Sequence, residues 1–420
     1  MRSTLLVLLA MMLMISACQK KSAEIVVRNP INLERNDELV ILDWKQLMPD
    51  MELTPSTQIN FFDGQQIVPY QILDSQKVAI LLDFKPSEQK IVTLTLSDAG
   101  SKSIPKRAHA EISVRKGGTF NGEKWVGGQF VSVKHLAVGK EHFAHDELIR
   151  YEGPGWESDR IAFRLYLDER NALDVFGKRT KKIILPIVGH DTSKTYHEMN
   201  WWGMDILKVG ETFGAGSFAL YLPGKDFFEK VKAKDLSYQP PDLLAPKAVD
   251  SLVCRILEDG PLRAAVEILY KGWEVAGQKI NVQARHYIQA GSYLLRHELA
   301  VESKSPSGIA FGVMQPKNSK LQSWTDNGYW QNVTGIPSLG GDSLTIFFYF
   351  KKPHPVQFMA EKNGNRVAYA APQARKVMFW SGALWQGNFS GQSFAAVCKT
   401  FAEEQSQRLN HPIQVKYKKD

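Results

Sequence analysis

Apolar and polar positions alternate along this chain in short runs rather than in long helical stripes. Period-two alternation or compact β-rich runs recur at residues 25–27, 78–82, 91–96, 183–188, 253–257, 265–270 and 344–350. Turn signals separate them: Asp63-Gly64, Gly117-Gly118, Gly127-Gly128, Gly340-Gly341 and Asn363-Gly364. The pattern predicts one short helix, over residues 225–236, with Phe227, Phe228 and Val231 on one side and Pro240-Pro241 beyond its end. No helical stripe longer than about 15 residues is expected, nor any internal repeat. Residues 97–106 are polar and contain Pro105, which suits a linker. The expected fold is therefore mainly β. A small N-terminal β-sandwich of about seven strands over residues 22–106 precedes a large antiparallel two-sheet supersandwich over residues 107–420.

The N-terminus reads differently. Arg2 precedes an apolar run over residues 5–15, lightened by Ala10. That is shorter than the roughly 20 residues of a membrane span and has the length of a signal-peptide core. Ile15-Ser16-Ala17-Cys18 resembles a bacterial lipoprotein cleavage box. The resemblance implies that residues 1–21 are signal and tether, and that Cys18 takes a thioether-linked lipid that anchors the protein to a membrane. Gln19 stands where inner-membrane retention commonly uses aspartate. The expectation is an exported protein, anchored at the outer membrane and facing the periplasm.

The 420 residues are 44% hydrophobic and 23% charged, an ordinary globular balance. The formal charge of +8 is spread along the chain, so it favours an anionic partner without naming one. Export and the lack of a basic stripe argue against nucleic acid. Cys254 and Cys398 lie in apolar, strand-like surroundings, and both a disulfide and two buried thiols fit. No cofactor motif occurs: there is no P-loop, no GxGxxG after a strand, no HExxH, no CxxC and no EF-hand loop.

Every tryptophan except Trp44 follows residue 120, which places ligand chemistry in the second unit. His142 and His145 are spaced by three and precede Gly153-Pro154-Gly155, which is expected to present Trp156, Glu157, Asp159 and Arg160 from a loop. Alternation then puts Arg160, Ala162, Arg164 and Tyr166 on one strand face. Read as exposed, that face suits a carboxylated sugar, because guanidinium matches a carboxylate fork. A second cluster holds Tyr196, His197, Glu198, Trp201, Trp202, Asp205 and Lys208: acid–base groups beside flat indoles that can stack on a sugar ring. His286 lies in a third stretch, Arg285-His286-Tyr287, with His297 close behind, and a core role competes there with a site role. If a divalent cation binds, His142, His145 and nearby carboxylates are the place to look.

Three stretches carry a resemblance to a known family. They are residues 153–160 (GPGWESDR), residues 174–178 (DVFGK), and Tyr196-His197-Glu198 followed by residues 202–210 (WGMDILKVG). The chain resembles a domain-of-unknown-function family of exported lipoproteins found in polysaccharide-utilisation loci. The resemblance implies a galactose-mutarotase-like supersandwich and a uronic-acid-containing glycan as partner. Three functions follow as expectations. The first is a β-eliminating lyase or dehydratase, in which Tyr196 or His197 removes the proton next to a carboxylate held by arginine, with His145 assisting. The second is a glycoside hydrolase or mutarotase-type enzyme using Glu157, Asp159, Glu198 and Asp205. The third is a non-catalytic glycan-binding protein.

Overall fold

Alternating apolar residues pair into antiparallel sheets throughout the computed structural model, which describes residues 22–96, 104–190, 195–233, 238–302, 307–325 and 327–418. The mainly-β, antiparallel sandwich expected from the pattern is what the chain forms. Residues 1–21, including Cys18, lie outside the described residues. The chain divides into two units: one runs to Ile104 and takes in Ile413 onward, and the other is Pro105–Pro412.

In the first unit a five-stranded and a three-stranded sheet enclose one core, with Ile25, Val27, Leu42, Trp44, Ile59, Phe61, Ile80, Val92 and Leu94 among its buried residues. Ser22–Arg28 shows the cause: Ile25 and Val27 face inward while Glu24 and Arg28 face out. Its outer neighbour is Gln414–Tyr417, paired antiparallel with Ile25 opposite Tyr417. Local patterning had grouped that strand with the second unit. A strand's partner far along the chain leaves no local signal.

In the second unit a nine-stranded sheet packs against a six-stranded and a four-stranded sheet across a common apolar core. Trp156, Phe163, Val175, Phe218, Val266, Ile288, Phe311 and Phe379 lie in it. The six-stranded sheet, called the site sheet below, runs in the order Gln129–Val133, Ala108–Lys116, Gly155–Ser158, Ile161–Leu165, Leu173–Lys178, Gly203–Asp205. Gly203 has φ +129°, and a Cβ there would sit 1.8 Å from the Gly177 carbonyl oxygen, so only glycine lets this edge strand close on its neighbour.

Three local expectations change. Residues 183–188 are not a strand: Leu185–Ile187 is a 3-10 turn around Pro186, which fixes φ and has no N–H for a ladder. The helix expected over 225–236 is described as Phe227–Lys232. A 17-residue helix, Phe394–Asn410, was not foreseen. Phe394, Val397, Cys398, Phe401 and Ala402 make its apolar stripe, packed on Trp330, Phe347 and Tyr349. The stripe is diluted by small and polar residues, so it reads weakly as periodicity. Cys398 is therefore helical, not in a strand, and its thiol donates to Thr345 Oγ1 at 3.2 Å. Cys254 and Cys398 are both buried and free, which settles the thiol alternative.

His286 and His297 face each other in register across adjacent strands, with their Nδ1 atoms 2.8 Å apart, and His297 Nε2 meets Ser381 Oγ at 2.8 Å. His286 stacks on Trp156 and His297 on Phe379, at centroid separations of 5.2 and 4.4 Å. Burial pushes His286 down to about 3 and His297 well below its ordinary range. Both stay neutral in the fold while the unfolded chain protonates them near 6.5. Their contribution is thus complete above that pH and is lost as pH falls toward the folded values. Urea unfolding is expected to show a loss of roughly 2 kcal/mol per histidine between about pH 7.5 and 5, less steep in His286→Gln. A flat stability profile across that range would contradict this account.

Candidate functional site

Alternation on the site sheet sends Ile161, Phe163 and Leu165 into the main core and Ala162 and Arg164 to the outer face. The next strand does the same, with Asp174, Phe176 and Lys178 outward. The outer face is not open. Tyr151, Ile184, Leu185, Val188 and Trp202 pack over Ala162 and Phe176, with Tyr196 against them. The face predicted as exposed is thus correct in its membership and wrong in its exposure, because a cover contributed by distant segments seals it.

Arg164 sits under that cover with its side chain only 2% exposed. Its Nη2 donates to Asp174 Oδ2 at 2.7 Å and Asp205 Oδ2 at 2.8 Å, and its Nε donates to Asp174 at 3.1 Å. Nη1 donates to the Tyr196 hydroxyl at 3.2 Å, and the Tyr166 hydroxyl donates to Asp174 at 2.7 Å. Burial works against the charged guanidinium, yet Asp174 and Asp205 outweigh it and hold Arg164 well above its usual range. Burial and the neighbouring Asp205 raise the Asp174 carboxyl despite the arginine. Burial also raises Tyr166 and Tyr196, so both remain phenols at neutral pH.

Two histidines border this network. His197 Nδ1 lies 3.2 Å from Asp205 Oδ2 with its side chain 54% exposed. His145 Nδ1 lies 2.7 Å from Glu152 Oε1 and is 76% exposed. Glu152 also takes Arg170 at 2.8 Å and lies 3.9 Å from Arg164, so both histidine–carboxylate pairs join at one guanidinium. Each imidazole thus stands beside a carboxylate at ion-pair distance, at the solvent boundary of the network. The backbone is bent to deliver these groups: His145, Tyr151 and Glu152 have φ of +66°, +42° and +67°. Left-handed non-glycine residues cost about 1–3 kcal/mol each and persist where the surroundings over-determine them.

The structure thus brings together His145, Arg164, Tyr196, His197 and Asp205 from the expected residues, and adds Glu152, Tyr166, Arg170 and Asp174. Asp174 was legible as part of the DVFGK stretch. Glu152 follows Tyr151 directly, and only the backbone bend reveals its direction. Other expected residues lie elsewhere. Gly155–Ser158 is a central strand, not a loop, so Trp156 is fully buried in the core and has no face for a sugar. Glu157 is also fully buried, bonded to Lys178 Nζ at 2.5 Å and to the Ile184 and Leu185 amides at 2.8 and 2.7 Å. It is a structural anchor, and burial lowers the pKa of its Lys178 partner. His286 belongs to the buried pair described above. Trp202 belongs to the apolar cover, packed on Phe176. Asp159 is engaged by Arg107 at 2.7 Å and by the Gly291 amide at 2.7 Å, and Arg160 lines a separate cleft. Trp201 is 62% exposed beside Lys182, and Glu198 and Lys208 are exposed outside the network. His142 is bonded to Asp146 at 2.7 Å rather than joined to His145. Among the described residues no group of three or more His, Cys, Asp or Glu side chains is arranged to hold a metal ion.

Residues 27–415 match the family described as "Domain of unknown function (DUF4861)". No curated protein matches the chain. Among solved structures, an α-mannosidase from Enterococcus faecalis V583 is similar in fold, with a TM-score of 0.50 and 9% identity over 95% of this chain and 46% of that one. A glycosyl hydrolase family 38 protein from Enterococcus faecalis aligns with a TM-score of 0.48 and 10% identity, over 96% of this chain and 48% of that one. The chain spans about half the length of these structures.

Arg164 joins two buried carboxylates, so removing it strands both. Arg164→Gln is expected to lose about 3–5 kcal/mol of unfolding free energy in urea titration. Trp201→Ala is expected to stay within about 0.5 kcal/mol, because the indole is exposed. Equal midpoints for the two variants would refute the central place given to Arg164.

Proposed function

The chain belongs to the DUF4861 family, and from the chemistry of its residues we propose that it is a carbohydrate-active enzyme moving protons at a sugar ring. The observation that carries this reading is the pair of exposed imidazoles, each within ion-pair distance of a carboxylate, on either side of one guanidinium. The fold it shares with an α-mannosidase supports a carbohydrate as ligand and says nothing of the reaction. In the finer reading the reaction is β-elimination on a uronic-acid-containing oligosaccharide. His197, exposed beside Asp205, takes the proton next to the carboxylate. The carbon–oxygen bond at the β position breaks, and the departing oxygen collects a proton from the Tyr196 phenol or His145. Loss of a hydroxyl makes the enzyme a dehydratase, and loss of a glycosyl oxygen makes it a lyase.

A second reading has a specific observation in its favour. Arg164 is already matched by Asp174 and Asp205, and Arg170 by Glu152 and Asp168, so neither is left over for a substrate carboxylate. Four carboxylates against two guanidiniums make the site acidic. That balance suits a neutral sugar in hydrolysis or mutarotation, with the histidine pairs as acid and base. Export through the Cys18 lipid remains part of the proposal and places the enzyme where extracellular glycan fragments arrive.

Purified residues 22–420 incubated with uronate-containing oligomers should produce the ultraviolet band of a conjugated unsaturated acid, with the matching mass change. Two fragments whose masses sum to the substrate plus one water, lacking that band, select hydrolysis. Anomeric exchange by NMR without a mass change selects mutarotation. His197→Ala and His145→Ala should each lower the rate about 10²–10⁴-fold with little change in folding. Tight glycan binding without any product, unaltered by either substitution, would reject catalysis.

A further inference from the structure

At the other end of the same two strands from Arg164 lies a cleft of about 280 Å³, lined by Arg160, Lys178, Arg179, Lys181, Tyr293 and Asn388 among others. Asp174 and Lys178 point to the same face of one strand and are four residues apart, which separates them by about 13 Å at ~3.3 Å per residue. Phe176 and its apolar cover fill the interval. The cleft is therefore separate from the histidine pairs.

Its charges do not cancel. Asp159, the acidic residue in the lining, is held by Arg107 and the Gly291 amide. Lys178 is committed to Glu157 and to the Ser158 carbonyl at 2.7 Å. Arg179 and Lys181 are exposed, and neither has a carboxylate within ion-pair distance among the described residues. The Arg179 guanidinium lies 5.3 Å from the Trp385 ring centroid, which holds its fork in place. Arg160 hydrogen-bonds Tyr293 across the cleft. Beside these cations the Asn388 side-chain oxygen is buried with no partner among the described residues. Gly387, also in the lining, leaves no room for a side chain, since a Cβ there would fall 2.5 Å from the Trp385 ring.

We propose that this cleft is a binding subsite for one acidic sugar residue of an oligosaccharide, remote from the residue that reacts. Arg179 and Lys181 take the oxyanion, a carboxylate or a sulfate ester, and Asn388 accepts a ring hydroxyl. The size fits one ring with its substituents rather than a polymer groove or a protein. The proposal rests on the reading that the ligand is a glycan. It supplies the cations that the acidic histidine site lacks.

The test is calorimetric titration of the whole chain with trigalacturonate, a sulfated trisaccharide, neutral maltotriose and inorganic sulfate, in the parent protein and in Arg179→Gln/Lys181→Gln. The double variant should bind the acidic probes at least about tenfold more weakly, with unchanged maltotriose binding and thermal melt. The probe with the larger loss identifies carboxylate or sulfate as the group held. Inorganic sulfate should compete with that probe in the parent alone. Equal affinity in parent and variant, no preference for acidic over neutral probes, or no binding of either acidic probe overturns the proposal. Turnover that depends on His197 with no effect of the double substitution would reject the cleft and leave the histidine site standing. Loss of acidic binding in a protein without turnover would do the reverse.

Discussion

A single guanidinium in a nearly water-free position organises the outer face of the site sheet. Burying Arg164 is costly unless every donor is matched, and it is matched by Asp174 and Asp205 from two neighbouring strands and by Tyr166 and Tyr196 from the segments beyond them. Two carboxylates on one arginine leave an excess of negative charge. That excess is carried outward through Asp205 and Glu152 to the two histidines at the solvent boundary. The ion cluster thus ties the covering segments to the sheet and places carboxylates beside both imidazoles.

The same sheet shows how one alternation can serve different ends. Along Leu173–Lys178 the outward residues are an acid, an aromatic and a lysine. Asp174 enters the arginine cluster, Phe176 carries the apolar cover, and Lys178 forms the buried pair with Glu157 beneath the basic cleft. Acidic and basic regions are kept apart by the hydrophobic plug between them. Without that plug the cations near Lys178 and the carboxylates near Asp174 would be free to neutralise one another. Separation leaves the two ends of the strand with opposite charge.

Much of the architecture was legible locally. Strand runs such as residues 78–82 and 344–350 and the paired glycine turns follow from period-two alternation and turn chemistry. The side-chain faces were legible too: Arg160, Ala162, Arg164 and Tyr166 were assigned to one face from alternation alone. Where the reading failed, the cause was a contact distant in sequence. Trp156 and Glu157 looked like loop residues after Gly-Pro-Gly, yet their strand lies between Ala108–Lys116 and Ile161–Leu165, where solvent does not reach. The helix Phe394–Asn410 was missed because packing on the nine-stranded sheet supplies the stability that its modest stripe does not advertise.

The amino-acid sequence by itself determined which residues could be strands and which faces they share, and it offered His145, Arg164, Tyr196, His197 and Asp205 only among a wider set of candidates. Only the tertiary structure decided which of them meet. Alternation is a property of a few consecutive residues, whereas burial and pairing depend on which other segments arrive. The loop that brings Tyr196 to Arg164, the edge strand that brings Asp205, and the bent backbone that turns His145 and Glu152 toward it are long-range events. They convert a nominally exposed arginine into a buried one and make two scattered histidines a matched pair.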